Sequence, residues 1–318
     1  MSPAAPWCPD EWRAHLDAIA PGLFASGTAA AMHEATGASL RAAPWTLVLS
    51  SRRGRLHAHR GDHREDAGHL VHFAGGWGAA VADGAGSATY SRIGSALATD
   101  VVTHTLREAL QHGAAPVDTL EPALRQAAQA AHEAQRDFAA RAGLALRDLR
   151  TTLLVAALHH DRLGVMQVGD GAMAIVHNDG TVSHPHAAAT GDYSGEVTHF
   201  LPDDGALAVL QSSITIMSAA NVAAVLLASD GVEDPWYPFT RWAGPLVLSL
   251  AHGIPAAVDG EAALPPSLAP SHPASVLRAA DPVQALADWL AFEKRGENDD
   301  RTLCLAFTPA LDALGAAR

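Results

Sequence analysis

The sequence predicts an α+β domain built on antiparallel sheets, and three observations carry the prediction. Apolar runs of strand length are grouped apart from the helical stretches, as in domains whose helices stand to one side of the strands. Several of those runs stop at an Asp-Gly pair: Asp83-Gly84, Asp170-Gly171 and Asp230-Gly231. Between the first and second of these pairs lie two consecutive stretches of helical periodicity.

In chain order, residues 1–43 are rich in Ala, Pro and Gly and read as an N-terminal extension with a short helix over 11–19, followed by one domain over 44–309. Residues 45–50 are the first expected strand. A basic, His-rich segment follows over 52–72, with Arg52, Arg53, Arg55, Arg60 and Arg64; such a run is most often a solvated face. After Asp83, the residues Ile93, Leu97 and Val101, then Val102, Leu106 and Leu110, recur every four positions, which predicts a helix ending near Gly113. Asp118 with Glu121 three residues later has the form of a capping box and starts a second helix running to about Ala142.

Strands are expected over 152–158, 163–168 and 172–177, with turns at 159–162 and at Asn178-Asp179-Gly180, and again over 222–228. Prolines recur between Asp234 and Asp299, so this is the least regular part, and 254–282 is expected to be a mobile loop. A helix over 283–292 and a closing strand over 303–307 complete the domain, with 310–318 as a tail.

A chain of 318 residues suits one large domain with trimmings. Hydrophobic residues make up 48% and charged residues 17%, enough for a sizeable core and too apolar for disorder. The formal net charge of −13 argues against nucleic acid as a partner, because sequence-independent binding needs clustered Lys and Arg, and it disfavours anionic membranes. Only Cys8 and Cys304 are present, which suits a reducing compartment. No basic start followed by an apolar stretch is visible, and no apolar run approaches the ~20 residues of a membrane span. A cytoplasmic protein is expected.

A carboxylate at a strand end projects from the edge of a rigid sheet, where it can bind a hard cation. Asp-Gly is also the commonest tight-turn dipeptide, so one such pair says little. Recurrence is what matters: with Asp299-Asp300 before the last strand there are four acidic points at strand ends, and four such points can converge.

Read in order, Glu65-Asp66, Asp83-Gly84, Asp170-Gly171, Asp230-Gly231 with Asp234, and Asp299-Asp300-Arg301-Thr302 resemble the motifs of the metal-dependent protein phosphatases of the protein phosphatase 2C family. The resemblance spans about residues 45–308 and is greatest to the bacterial branch, in which a Gly-x-x-His segment, here Gly54-Arg55-Leu56-His57, leads to the first acidic pair. It implies a four-layer α-β-β-α sandwich of two antiparallel sheets flanked by helix pairs. It also implies Asp83 as the aspartate bridging two metal ions, with the Gly84 carbonyl as a further ligand. Asp230 and Asp299 match the remaining direct ligands of the first ion, and Glu65 and Asp66 the pair that holds metal-bound waters. Asp170 and Asp234 match ligands of a weaker third ion. An all-oxygen set of this kind suits Mn2+ or Mg2+. The implied reaction is hydrolysis of phosphoserine or phosphothreonine by a metal-activated water, on a phosphoprotein substrate and within a serine/threonine kinase signalling system.

The chain departs from the family at two positions. Ala85 stands where many members carry a histidine proposed to protonate the leaving alkoxide, and a general acid typically contributes ~10²–10⁴-fold. Gly61 stands where many members carry an arginine; Arg60, one residue earlier, is the expected phosphate ligand, with Arg64 turned away from Glu65 if the segment is extended. Two other readings compete. Ala85 invites a phosphatase-like regulatory or binding module of weak activity. The run His57-Ala58-His59-Arg60-Gly61-Asp62-His63 approximates the His-x-His-x-Asp-His motif of zinc hydrolases of metallo-β-lactamase type, with one residue too many.

Overall fold

The computed structural model describes residues 35–111, 119–186, 199–253, 257–258, 261–262, 275–294 and 296–316. The first half comprises β1 (Ala35–Ala42), β2 (Trp45–Arg52), α1 (Arg55–Arg60), β3 (Ala67–Phe73), β4 (Gly76–Ala82), α2 (Ser91–Leu110), α3 (Leu120–Ala142), β5 (Leu153–His159) and β6 (Arg162–Val168). The second comprises β7 (Ala172–His177), β8 (Val182–Ser183), α4 (Ala206–Ser212), β9 (Thr215–Ser218), β10 (Val222–Ala228), α5 (Asp230–Glu233) and α6 (Phe239–His252). A two-residue hairpin, β11 (Ala257–Val258) with β12 (Glu261–Ala262), precedes α7 (Pro282–Trp289), β13 (Arg301–Phe307) and α8 (Ala310–Ala316).

One sheet has the order β1-β2-β13-β10-β7-β8 and the other β3-β4-β5-β6-β9, and every pairing in them is antiparallel. Period-two alternation sorts the side chains into layers. Leu47 and Leu49 of β2, Leu154, Ala156 and Leu158 of β5, and Cys304 and Ala306 of β13 fill the space between the sheets, where Trp45 and Trp77 meet at 5.4 Å. The residues between them in sequence face outward: Leu153, Val155 and Ala157 pack under α2 and α3, while Leu303 and Leu305 pack under α6 and α7. Two sheets with helices on both outer faces make the four-layer sandwich. Burial pushes the Cys304 thiol up to about 12, so it behaves as an inert core residue.

Most expected elements form within two residues of their anticipated ends, but four places differ. The eight residues of β1 lie inside the stretch read as an extension. This edge strand is largely exposed and has no apolar period to announce it; only the register with β2 makes it a strand. The basic segment over 52–72 is not one solvated face, because it contains α1 and the core strand β3, where Val71 and Phe73 are buried. The proline-rich part contains the 14-residue α6, whose Phe239, Trp242, Ala243, Leu246, Val247 and Leu250 form a buried stripe; that burial outweighs the backbone bond lost at Pro245. α4 and β9 fall in a stretch for which no element was expected. The helix expected over 11–19, the Asp118 cap and most of the loop expected over 254–282 lie outside the described residues. Among those described, no helix is long and apolar enough to cross a membrane.

The layer between the sheets has no slack at Leu47, which is fully buried. Leu47→Ala should lower unfolding free energy by about 2–5 kcal/mol in urea or guanidinium titration. A loss below 1 kcal/mol would show that the two sheets do not pack there as described.

Candidate metal centre

Antiparallel registry brings the strand ends named in the sequence to one edge of the sandwich. Asp83 follows Ala82, which pairs with Ala67 at the start of β3, just after Glu65 and Asp66. Asp230 follows Ala228, which pairs with Ala172 on one side and with Leu303 on the other, placing Asp170 and Asp299 at the same end. Both sheets therefore contribute. Carboxylate oxygens of Asp83, Asp170 and Asp230 lie within 4.8 Å of one another.

The backbone of Asp83 is fixed by the two residues that lead into β5: its N–H donates to Thr152 Oγ1 (2.9 Å), and its carbonyl accepts from Thr152 N (2.8 Å) and Thr151 Oγ1 (2.7 Å). Gly84 admits no side chain, because a Cβ there would meet the Glu65 carbonyl and the Ser91 Cβ at 2.8 Å each. Asp66 is buried below the cluster. Its Oδ2 accepts from Ser229 Oγ (2.8 Å) and Thr302 Oγ1 (2.7 Å), and Thr302 Oγ1 also lies 2.6 Å from Ser51 Oγ. Ser229 in turn accepts from Thr302 N at 2.9 Å, so one polar network ties the acidic pair to β2, β10 and β13.

Burial raises every carboxylate of the group, and neighbouring carboxylates add to it, while His57 works against the rise at Glu65. Asp83 is pushed well above the usual carboxylate range by burial and then by Asp230 and Asp66, and Asp230 by burial and then by Asp299 and Asp170. Glu65 and Asp66 are pushed up to about 7 and Asp170 to about 6, in each case mainly by burial. Asp234, at the exposed rim, and Asp299 are raised for the same first reason. Glu65 Oε2, Asp66 Oδ1 and Asp170 Oδ1 are buried without a hydrogen-bond partner. Orphaned acceptors crowded against like charges are what a divalent cation would satisfy, so these residues fit one.

The acidic residues expected from sequence thus collect at one edge, although the tight triplet takes in Asp170 where Asp299 was expected. Two acids were missed. Glu233, pushed up to about 7 by burial and then by Asp234 and Asp170, sits one turn along α5 and carries no turn signature. Asp300 was passed over beside Asp299; its buried carboxylate lies 3.0 Å from His57 Nδ1.

Arg60 ends α1 with its side chain exposed, while Arg64 is buried and donates from Nε to the Asp66 carbonyl at 3.1 Å. A second basic group beside the acidic pair is His57, whose Nε2 lies 3.9 Å from Glu65 Oε2; the Asp300 carboxylate, against the opposing effect of burial, raises its pKa to about 9. The histidines of the zinc-hydrolase motif are not gathered. His57 turns inward to Asp300 and His59 is exposed. Ala85 is buried and offers no proton.

An antiparallel four-layer sandwich with a carboxylate-lined edge defines the class of metal-dependent phosphoprotein phosphatases. The sequence model described as protein phosphatase 2C matches residues 53–291, well over half of the chain, and the chain belongs to that family. Among solved structures, the Mycobacterium tuberculosis serine/threonine phosphatase PstP/Ppp is 17% identical with a TM-score of 0.51, the match covering 83% of this chain and 98% of that one. A bacterial serine phosphatase is 15% identical with a TM-score of 0.53, covering 82% and 97%. The S. agalactiae serine/threonine phosphatase is 13% identical with a TM-score of 0.52, covering 83% and 99%. At these identities the likeness establishes the fold. No curated protein matches the chain.

Each raised acid has a folded-state pKa above its unfolded value, so the native state holds the extra proton between the two. The stability this contributes to metal-free protein is present below pH ~4 and is lost as pH rises to about 7, the value reached by Glu65 and Asp66. In chelator, the melting temperature should therefore fall across that window. Millimolar Mn2+ should restore it above pH 7, and Mn2+ binding near pH 6 should release protons measurable by calorimetry in buffers of different ionisation enthalpy. A melting temperature indifferent to both pH and Mn2+ would show that the carboxylates do not act as one group.

Proposed function

We infer that this phosphatase removes phosphate from phosphoserine and phosphothreonine side chains, with Mn2+ or Mg2+ held by Asp83, Asp230 and Asp299 and by the Gly84 carbonyl. Glu65 and Asp66 would orient water around the second ion. Asp170 and Asp234 would hold a weaker third ion shared with Asp230. The observation that carries the reading is the convergence of the Asp83, Asp170 and Asp230 carboxylates from three separate strand ends. When bound, such ions supply Lewis acidity and an activated water near neutral pH.

The chain's own residues do the rest. Asp83, locked to Thr151 and Thr152 at both its N–H and its carbonyl, keeps its carboxylate at the cluster without rearrangement. Asp66 is held through Oδ2 by Ser229 and Thr302, which leaves its other oxygen buried without a hydrogen-bond partner. Arg60, on the exposed end of α1, is the proposed phosphate ligand, able to grip a phosphate bidentately. Ala85 favours a slow enzyme, since no side chain at that position can protonate the leaving alkoxide. We place the protein in the cytoplasm, where a buried free Cys304 is at home, acting on substrates of a serine/threonine kinase system.

Two measurements test this. Asp83→Asn should fold, should melt no lower than wild type in chelator because a like charge is removed, and should lose Mn2+-dependent hydrolysis of a phosphopeptide by at least ~10³-fold. Full activity in that variant would refute the site assignment. For the phosphate, Arg60→Ala should raise KM for a phosphopeptide several-fold with kcat little changed, the pattern of lost uniform binding; an unchanged KM would leave phosphate binding to the metal ions and other groups.

A further inference from the structure

The carboxylate of Asp300 is not among those expected to bind metal, yet it is almost wholly buried, at 1% exposure. Its two oxygens are engaged by opposite ends of one chain segment. Oδ1 accepts from Gly54 N at 2.6 Å and Oδ2 from Glu65 N at 2.5 Å. The same Oδ1 lies 3.0 Å from His57 Nδ1, and the other ring nitrogen of His57 is 3.9 Å from Glu65 Oε2. The contact is reinforced by main chain: Leu56 N donates to the Asn298 carbonyl at 3.0 Å. A Cβ on Gly54 would meet the Asp299 backbone at 2.3 Å, so the two segments touch with no room for a side chain.

We propose that Asp300 is a positioning residue: its carboxylate clamps the two ends of the segment from Gly54 to Glu65, which includes α1, and so fixes the Glu65 side chain at the metal centre. The segment needs such a clamp because it belongs to no sheet. It leaves β2 at Arg52 and joins β3 only at Ala67, and between them α1 ends on a left-handed Gly61 with φ 75°. Glu65 lies two residues before the nearest strand, and Asp300 supplies the hydrogen bond that a strand partner would otherwise give its N–H. The carboxylate matters as a carboxylate. Two amide N–H groups approach two different oxygens, and an Asn side chain, with one acceptor and one NH2, can serve only one of them. The role is distinct from that of Asp299, whose Oδ1 accepts from the Asp300 N–H at 2.8 Å and whose charge acts on Asp83 and Asp230.

The proposal rests on the metal-site reading above, and the experiment separates the two. Amide hydrogen exchange on wild type in chelator should show the Glu65 and Gly54 N–H groups protected well beyond exposed turn amides such as that of Gly86; exchange at such rates would overturn the clamp whatever any variant does. In Asp300→Asn, exchange at Glu65 or Gly54 should accelerate by at least about tenfold. Calorimetric Mn2+ titration without substrate should show one class of sites, that served by Glu65 and Asp66, weakened several-fold and the remaining sites unchanged. Phosphopeptide hydrolysis should need correspondingly more Mn2+, with kcat at saturating ion within a few-fold of wild type. A lower melting temperature in chelator with an unchanged Mn2+ titration would make Asp300 merely structural and overturn the proposal. Wild type that binds no Mn2+, with Glu65 N–H still protected, would overturn the metal reading and leave the clamp standing.

Discussion

The structure depends on the cost of bringing carboxylates together out of water. Asp83, Asp170 and Asp230 present oxygens within 4.8 Å of one another at the edge of a folded core, and all three are held above the usual carboxylate range by burial and the charge of neighbouring carboxylates. A stabilising role for such a cluster is excluded by its sign, because like charges at that distance oppose folding unless a proton or a cation intervenes. The rest of the chain must therefore supply enough rigidity to hold an unfavourable arrangement open. It does so with two sheets whose inner faces interdigitate, so that strand ends from both sheets are fixed relative to one another by the packing of Leu47, Trp77, Leu154 and their neighbours.

Polar ties complete what packing begins. Ser51, Thr302, Ser229 and Asp66 form a buried network that spans β2, β13 and β10 and reaches the acidic pair before β3, which belongs to the other sheet. Glycine plays a matching part. At Gly84 and Gly54 the backbone of one segment lies against that of another, and any side chain would push a carboxylate-bearing loop out of place. Precision at the site thus comes from close backbone contact and from hydroxyl donors, which orient carboxylates without neutralising them.

Legibility in the sequence followed the range of the signal. Asp83, Asp170 and Asp230 were readable because each ends an apolar run and precedes a glycine, a pattern confined to a few residues. Their convergence was an inference from resemblance until antiparallel registry placed them at one edge. His57 and Asp300 were not readable, since their partnership joins positions at opposite ends of the chain, and each looked locally like something else: one residue of a basic stretch, one half of an acidic pair. β1 escaped notice because an exposed edge strand has no apolar period, and α6 because its prolines masked a clear helical stripe. In each case the information lay in a tertiary partner or in burial, which local pattern does not carry.

Why the site should call for metal ions rather than its own side chains is answered by what the nearby cations do. Arg64 donates to the Asp66 carbonyl, Lys294 to the Pro235 carbonyl, and Arg301 to the Leu290 and Phe292 carbonyls while its guanidinium lies 3.8 Å from the Phe292 ring. These donors serve backbone oxygens, and burial lowers the Arg301 pKa to about 10, a sign that charge there is held at some cost. Had salt bridges to these side chains satisfied the carboxylates, their pKa values would be depressed; instead they are raised, with burial the leading cause throughout. His57 is the exception that fits the rule, since its ring sits against Asp300, outside the Asp83–Asp170–Asp230 triplet. Arg64, Lys294 and Arg301 thus spend their donors on backbone oxygens rather than on those three carboxylates, and that leaves room for an exchangeable cation.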